Sequence, residues 1–326
     1  MDGLSGKLYL ICAFSLAGTS VISARFVTGK LGTFTITAVS LFFALVFLVP
    51  LCRKQLVRYL RLMSLRNFLF LSLQALCGIF LFRMFLLWGL HYTGSGEAGI
   101  LTGATPAITA LLAMIVLREP VSGRKLAGIL CTVGGILIIQ GVLTPGKGLS
   151  LEHIGGNLLV LCAAACESAF NTLSRISAVK AAADLKEPAS PIAQTAIVSA
   201  IALILCLIPA AFEHPLKELA GIGMMEWTAL LWYGVFVTAL AFICWYSGIK
   251  RCGAFTAAAF SGMMPLTSLL LATAVLGESA GYQQWLGGLL VILGMFLIGT
   301  EGIVPRLRYR RSIDSAMLKN ENRSNL

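Results

Sequence analysis

The chain alternates long apolar runs with short polar or Gly/Pro-rich breaks, and the runs keep returning at a length near that of one membrane crossing. They fall over 7–27, 33–52, 67–89, 97–117, 123–141, 155–177, 191–211, 227–249, 254–276 and 282–300. A hydrocarbon core about 30 Å thick takes roughly 20 helical residues per crossing. A helix satisfies its backbone polar groups within its own segment, which lipid demands. The pattern predicts an all-α integral membrane protein with ten transmembrane helices. Composition agrees: the chain is 58% hydrophobic and 12% charged, with mean hydropathy +0.88, whereas soluble domains carry about a quarter charged residues. Lys7 and the apolar run to Gly18 resemble a signal peptide. The many similar runs that follow make this a retained first span.

A net charge of +11 would point to nucleic acid in a soluble protein, but here the basic residues sit between the runs and set topology. Alternate connectors hold Arg53, Lys54, Arg58, Arg61 and Arg66, then Arg118, Arg124 and Lys125, then Arg175, Lys180 and Lys186, then Lys250 and Arg251. The tail adds Arg306, Arg308, Arg310, Arg311, Lys319 and Arg323. The other connectors offer Arg25, Lys30, Lys147 and Lys217. An asymmetry of roughly five to one puts both termini in the cytoplasm, as cytoplasmic loops retain Lys and Arg. His91, His153 and His214 then lie outside, and Asp2, Asp184 and Asp314 lie away from the spans. Nine scattered cysteines without a CxxC pair read as reduced, buried apolar side chains. Compact loops suit a bacterial inner (plasma) membrane.

The stretch 82–139 aligns without gaps to 241–298. Gly89 falls on Gly248, Gly103 on Gly262, Pro106 on Pro265, Glu119 on Glu278, Gly128 on Gly287 and Gly135 on Gly294. The matches concentrate in helix-breaking residues. Residues 1–142 are thus a first five-helix unit, 143–154 an external linker and 155–302 a second five-helix unit, with 303–326 a basic cytoplasmic tail, disordered or lying on anionic lipid. Five is odd, so the second unit enters the membrane from the opposite side. Inverted repeats of this kind place a substrate site near the midplane between the halves.

At these residues the chain resembles the drug/metabolite transporter superfamily, in particular its ten-span EamA-type members. The resemblance rests on Gly89-Leu90-His91-Tyr92, Pro106-Ala107-Ile108-Thr109-Ala110, Leu117-Arg118-Glu119-Pro120 and Gly134-Gly135. It recurs in Gly248, Pro265-Leu266-Thr267-Ser268, Leu276-Gly277-Glu278, Gly287 and Gly294. It implies a secondary carrier for small polar or amphipathic metabolites, often an exporter of amino acids or related compounds, with a central cavity between two bundles.

Candidate site residues follow from what lipid tolerates. An ionisable side chain at mid-membrane costs about 2.5 to 3.5 kcal/mol on insertion scales, so each needs a reason. Glu167, Asn171 and Arg175 form an i, i+4, i+8 stripe on the sixth span. The stripe is either a substrate path, with Glu167 the partner of a proton or a substrate amine, or an interhelical polar network. The fourth and ninth spans share Thr/Ser-Gly-x-x-Pro, as Thr102-Gly103-Ala104-Thr105-Pro106 and Ser261-Gly262-Met263-Met264-Pro265. A proline inside a helix frees the carbonyl four residues earlier and kinks the helix, so Thr102, Pro106, Ser261 and Pro265 are expected to line a central pathway. Trp245 and Tyr246, deep in the eighth span, could stack on substrate. Arg83 and Glu97, at comparable depth, are a candidate external gate. Glu119 and Glu278 are read as capping the N-termini of the fifth and tenth spans. Trp88, Tyr92, Trp227 and Trp285 read as interfacial belt residues.

Two decoys carry nothing. Gly94-Ser95-Gly96-Glu97-Ala98-Gly99 fits GxGxxG but follows no strand, and 141–147 fits GxxxxGK with Gly148 where Ser or Thr is required. No cofactor, metal or catalytic residue is expected, and the chain does not read as an enzyme. Its expected partners are a small-molecule substrate and the lipid bilayer, without nucleic acid; the composition leaves room for a homodimer. A non-transporting receptor or scaffold, and an integral membrane enzyme acting on lipid, are the rival readings.

Overall fold

A computed structural model describes residues 2–27, 29–93, 101–119, 121–139, 153–183, 190–277 and 281–299. Its helices follow the apolar runs. α1 covers Asp2–Gly18 and, past Thr19, Ser20–Val27; α2 is Thr33–Leu62. α3 passes through Leu65–Ala75, Leu76–Leu81 and Phe82–Tyr92. α4 is Thr105–Ile115, α5 Gly123–Ile139, α6 Ile154–Ala183 and α7 Pro191–Ala211. After a short helix, Pro215–Ala220, α8 runs through Met224–Trp232, Tyr233–Leu240 and Ala241–Cys252. α9 has two pieces, Ala254–Phe260 and Met263–Leu276, and α10 is Tyr282–Gly299. The protein is all-α and membrane-embedded, with ten spans arranged as two inverted five-helix repeats.

Local sequence sets several of the joints. Ser64, Ser122 and Ser190 each accept the backbone N–H three residues on, opening α3, α5 and α7, which is N-cap chemistry. α8 and α9 meet at Gly253 alone, whose φ of 94° belongs to the left-handed half of backbone space. α2 outlasts its apolar run by three turns. At 30 residues it is about 45 Å long; Leu56, Tyr59 and Met63 pack inward while Arg53, Lys54, Arg58 and Arg61 stay exposed.

The repeat is written into the packing. The most extensive pairings are α5 with α10, α2 with α7, α1 with α8, α3 with α6, α2 with α8, α3 with α7, α4 with α6, α1 with α9 and α4 with α9. Exchanging each helix for its counterpart five places along returns the same set of pairs. α5 and α10 cross antiparallel through glycines. A Cβ on Gly135 would lie 2.6 Å from the Gly287 carbonyl, and one on Gly128 would lie 2.9 Å from that of Gly294. The residues aligned by sequence, 128 with 287 and 135 with 294, thus pair crosswise, as a two-fold axis in the membrane plane requires. Small residues allow such close approach where lipid supplies no hydrophobic drive.

The same swap relates α1–α8 to α6–α3. Gly248 is closed by Leu10 and the Gly6 carbonyl, and Gly89 by Val160 and the Gly156 carbonyl. Gly6 and Leu10 therefore correspond to Gly156 and Val160, a spacing of 150 that also sets Arg25 on Arg175. α3 and α8 widen to π geometry at matching places, 76–81 and 233–240, which the 159-residue offset overlays. π segments interrupt a helix at a cost and recur at functional sites.

The two ends of the bundle differ in charge. Gly6, Arg251, Tyr9, Lys125, Phe255 and Arg175 gather at the end where α1 begins; Arg251 lies 4.9 Å over the Tyr9 ring and Lys125 5.8 Å over that of Phe255. At the opposite end Glu213 accepts from the Phe34 N–H at 3.1 Å and the Thr35 N–H at 2.7 Å, Glu218 accepts from Gly32, and Lys30 pairs with Glu226.

Candidate functional site

The polar stripe of α6 is laid against α4 rung by rung. The Thr105 hydroxyl donates to Glu167 Oε2 at 3.2 Å. One turn on, Asn171 Nδ2 donates to the Thr109 hydroxyl at 3.3 Å. One turn further, Arg175 Nε donates to Glu119 Oε1 at 3.2 Å. Ser168 Oγ lies between the first two rungs and donates to the Thr105 carbonyl at 3.2 Å. The stripe thus forms a polar network between helices. Glu167 is only partly buried, and among the described residues it has no cation beside it: the ion pairs are Lys30 with Glu226 and Arg175 with Glu119.

α4 and α9 do not kink at their prolines as the motif suggested. Each helix breaks one turn earlier, with residues 103–104 and 261–262 in turns, and restarts with the proline in its first turn. A proline there forfeits no helical bond, because first-turn N–H groups have no partner in the helix. The Ser261 carbonyl is not freed either: it accepts the Met264 N–H at 3.0 Å, and the Ser261 hydroxyl donates to Ala258 at 2.7 Å. Pro106 is buried and Thr102 and Pro265 are half-buried. The break places two helix ends at mid-depth in each repeat, a different route to polar backbone inside the membrane.

Three residues past Glu167 an aromatic cluster begins. Phe170 stacks on Trp245 at 6.0 Å between ring centroids and lies 5.8 Å from Phe242 and 6.3 Å from Tyr246, while Phe14 meets Trp245 edge-on at 5.5 Å. Helices α1, α6 and α8 supply it. The Trp245 indole N–H is buried and finds no acceptor among the described residues. Leaving such a donor unpaired costs about 1 to 3 kcal/mol. The Tyr246 hydroxyl, by contrast, donates to Gln74 Oε1 at 3.0 Å.

Gln74 is a centre that reading for ionisable groups missed. Fully buried in α3, it also accepts from Ser174 at 3.4 Å and Gln194 at 3.3 Å and donates to Ser177 at 2.9 Å. It ties α3, α6, α7 and α8 together. The signal was present in the sequence as an amide in the middle of the apolar run 67–89.

The remaining candidates divide. Arg83 donates to the Tyr233 hydroxyl at 3.0 Å and lies 5.4 Å over that ring; Glu97, its expected partner, lies outside the described residues. Glu119 does not cap α5, where Ser122 does that work. It reaches across to α9 and accepts from the N–H groups of Ala254 at 3.2 Å and Phe255 at 3.1 Å. Glu278 lies outside the described residues. Two open hollows, along Arg53–Leu62 of α2 and beside Tyr92, Gly155 and Leu159, sit at the ends of the bundle and away from Glu167.

Paired five-helix units with broken fourth helices define an inverted-repeat membrane protein. The profile of the EamA-like transporter family matches residues 4–141 and again 154–300, and the chain belongs to that family. It is 28% identical over 291 residues to the uncharacterized transporter YetK of Bacillus subtilis, covering 88% of this chain and 84% of that one. It is 25% identical over 209 residues to a probable amino-acid metabolite efflux pump of Salmonella typhimurium, covering 62% of this chain and 67% of the pump. A crystal structure 21% identical to this chain shares the fold with a TM-score of 0.74, covering 90% of this chain and 96% of its own. The protein is a multi-pass membrane transporter.

Proposed function

We propose that the protein is a gradient-driven or facilitative exporter of small amphipathic metabolites carrying an amine, amino acids or their relatives among them, and that it works by alternating access. The observation that carries this reading is Glu167: a carboxylate at mid-membrane whose one hydrogen-bond partner here is a hydroxyl, beside an aromatic cluster containing an unsatisfied indole N–H. A substrate ammonium would supply the cation that Glu167 lacks. Its apolar body would lie against Phe170 and Trp245, and an acceptor on it would take the indole N–H. Space for it would open as the helices move. The name of the Salmonella relative favours an amino-acid type of substrate. The basic end, with both termini, faces the cytoplasm in this reading, since Lys and Arg are retained on that side.

Flux in proteoliposomes tests the proposal with a panel of amino acids and amphipathic amines beside neutral analogues. Amines are expected to move above protein-free liposomes, and Glu167→Gln to lower the rate roughly tenfold or more, the worth of one charge-assisted hydrogen bond. No flux for any compound overturns the carrier reading, and binding without flux would favour a receptor. Flux unchanged in Glu167→Gln removes that residue from the site.

A further inference from the structure

Resting on the carrier reading, we propose that Glu119 and Arg175 form the gate that closes the basic end, and that Glu119 is its keystone. One carboxylate makes two kinds of contact there. It holds the Arg175 guanidinium and also accepts the first two N–H groups of α9, Ala254 at 3.2 Å and Phe255 at 3.1 Å. Arg175 in turn donates through Nη1 to the carbonyls of Ile249 at 3.0 Å and Lys250 at 3.1 Å, in the last turn of α8. The end of α4, the inner part of α6, the end of α8 and the start of α9 therefore converge on one ion pair, and those helices come from both repeats.

The chemistry suits a closure that must release. A helix N-terminus attracts a carboxylate and a C-terminus attracts a guanidinium, because the exposed peptide groups carry partial charge. Glu119 and Arg175 each answer one such end and then answer each other. Their side chains are 18% and 21% exposed, so the pair is shielded enough to hold and close enough to water to be hydrated when it parts. Just inside the pair, Ala113 of α4 is fully buried in a cluster with Ala254, Phe255 and Ala258 of α9. The layer behind the ion pair is apolar: the same cluster includes Ile129 of α5 and Ile298 of α10, with Leu117 and Val133 packed against it. Separating Glu119 from Arg175 frees α4 and α9 to part along that seam and gives water a way toward Asn171 and Glu167.

The test reads access to that seam. Ala113→Cys is introduced and the protein is placed in nanodiscs, where both faces are reachable. Labelling by a membrane-impermeant maleimide is measured above that of the natural cysteines. In Arg175→Gln the labelling rate is expected to rise about fivefold as the closed population falls, with Arg175→Lys in between. Glu119→Gln is expected to exceed Arg175→Gln, since an amide N–H cannot face the Ala254 and Phe255 donors. Charge reversal, Glu119→Arg with Arg175→Glu, is expected to leave the seam open for the same reason. Unchanged labelling in Arg175→Gln and Glu119→Gln, with melting temperatures near that of the parent, overturns the gate. Restored closure in the reversed pair overturns the keystone role of Glu119. Labelling needs no substrate, so a gate that responds in protein without flux would sink the carrier reading alone.

Discussion

α1 and α6 hold the same place in their repeats and have different chemistry. Where they touch neighbours they match: Gly6 lies against Arg251 and Cys252 of α8 and Gly156 against the α3 backbone, Leu10 and Val160 cover Gly248 and Gly89, and Gly18 and Ser168 meet the opened turns of α9 and α4. Where α6 carries Glu167, Asn171 and Ser174, the corresponding residues of α1 are Ala17, Val21 and Ala24. The frame is duplicated and the polar stripe is present once. In the proposed alternating access, two-fold packing would let each half take the place of the other. A second carboxylate within a span would add an insertion cost.

The largest expected effect tests the frame. Leu at Gly89 and Leu at Gly248 should be comparably damaging, by about 3 kcal/mol or more as overpacked backbone crossings, and seen as loss of monodisperse protein. A large difference between them would break the equivalence of α1 with α6. Of intermediate size is Asn171→Val, which makes α6 like α1 at one rung. It removes a bond to Thr109 worth about 1 kcal/mol and should slow flux roughly fivefold at near-normal melting temperature. Unaltered flux would limit recognition to Glu167. The smallest concerns the residues that end the fourth helices: Arg118 in α4 has φ 52° where α9 has Gly277 at 68°. Arg118→Gly should raise stability by about 1 kcal/mol, because only glycine enters that region without strain. A lower melting temperature would show that the Arg118 side chain holds more than its backbone costs.

Most of the architecture was legible in the sequence, because lipid leaves the chain few choices: ten apolar runs had to be helices, and Pro106 with Pro265 had to mark interruptions. The kind of interruption was not legible. Whether a proline kinks a helix or restarts one depends on whether the preceding turn, here 103–104 and 261–262, stays helical, and that is settled by packing. Nor was the reach of Glu119. Its position in the short turn before the fifth span suggested a local cap on α5, yet the carboxylate turns to an N-terminus 135 residues away in sequence. Gln74 was overlooked because an uncharged amide costs less in lipid than a charge and drew less scrutiny. The π segments have no marker in residue type, so only their matching positions in α3 and α8 reveal them.

Gly253 is the whole connection between α8 and α9, and a joint one residue long has no slack. Any swing of the first piece of α9 must pull on the last turn of α8, whose carbonyls Arg175 grips, so the two cannot drift apart while one lags. A side chain at this position would also jam, since its Cβ would sit 2.9 Å from Glu119 Oε1. The absence of a loop thus ties any movement of one helix to the other.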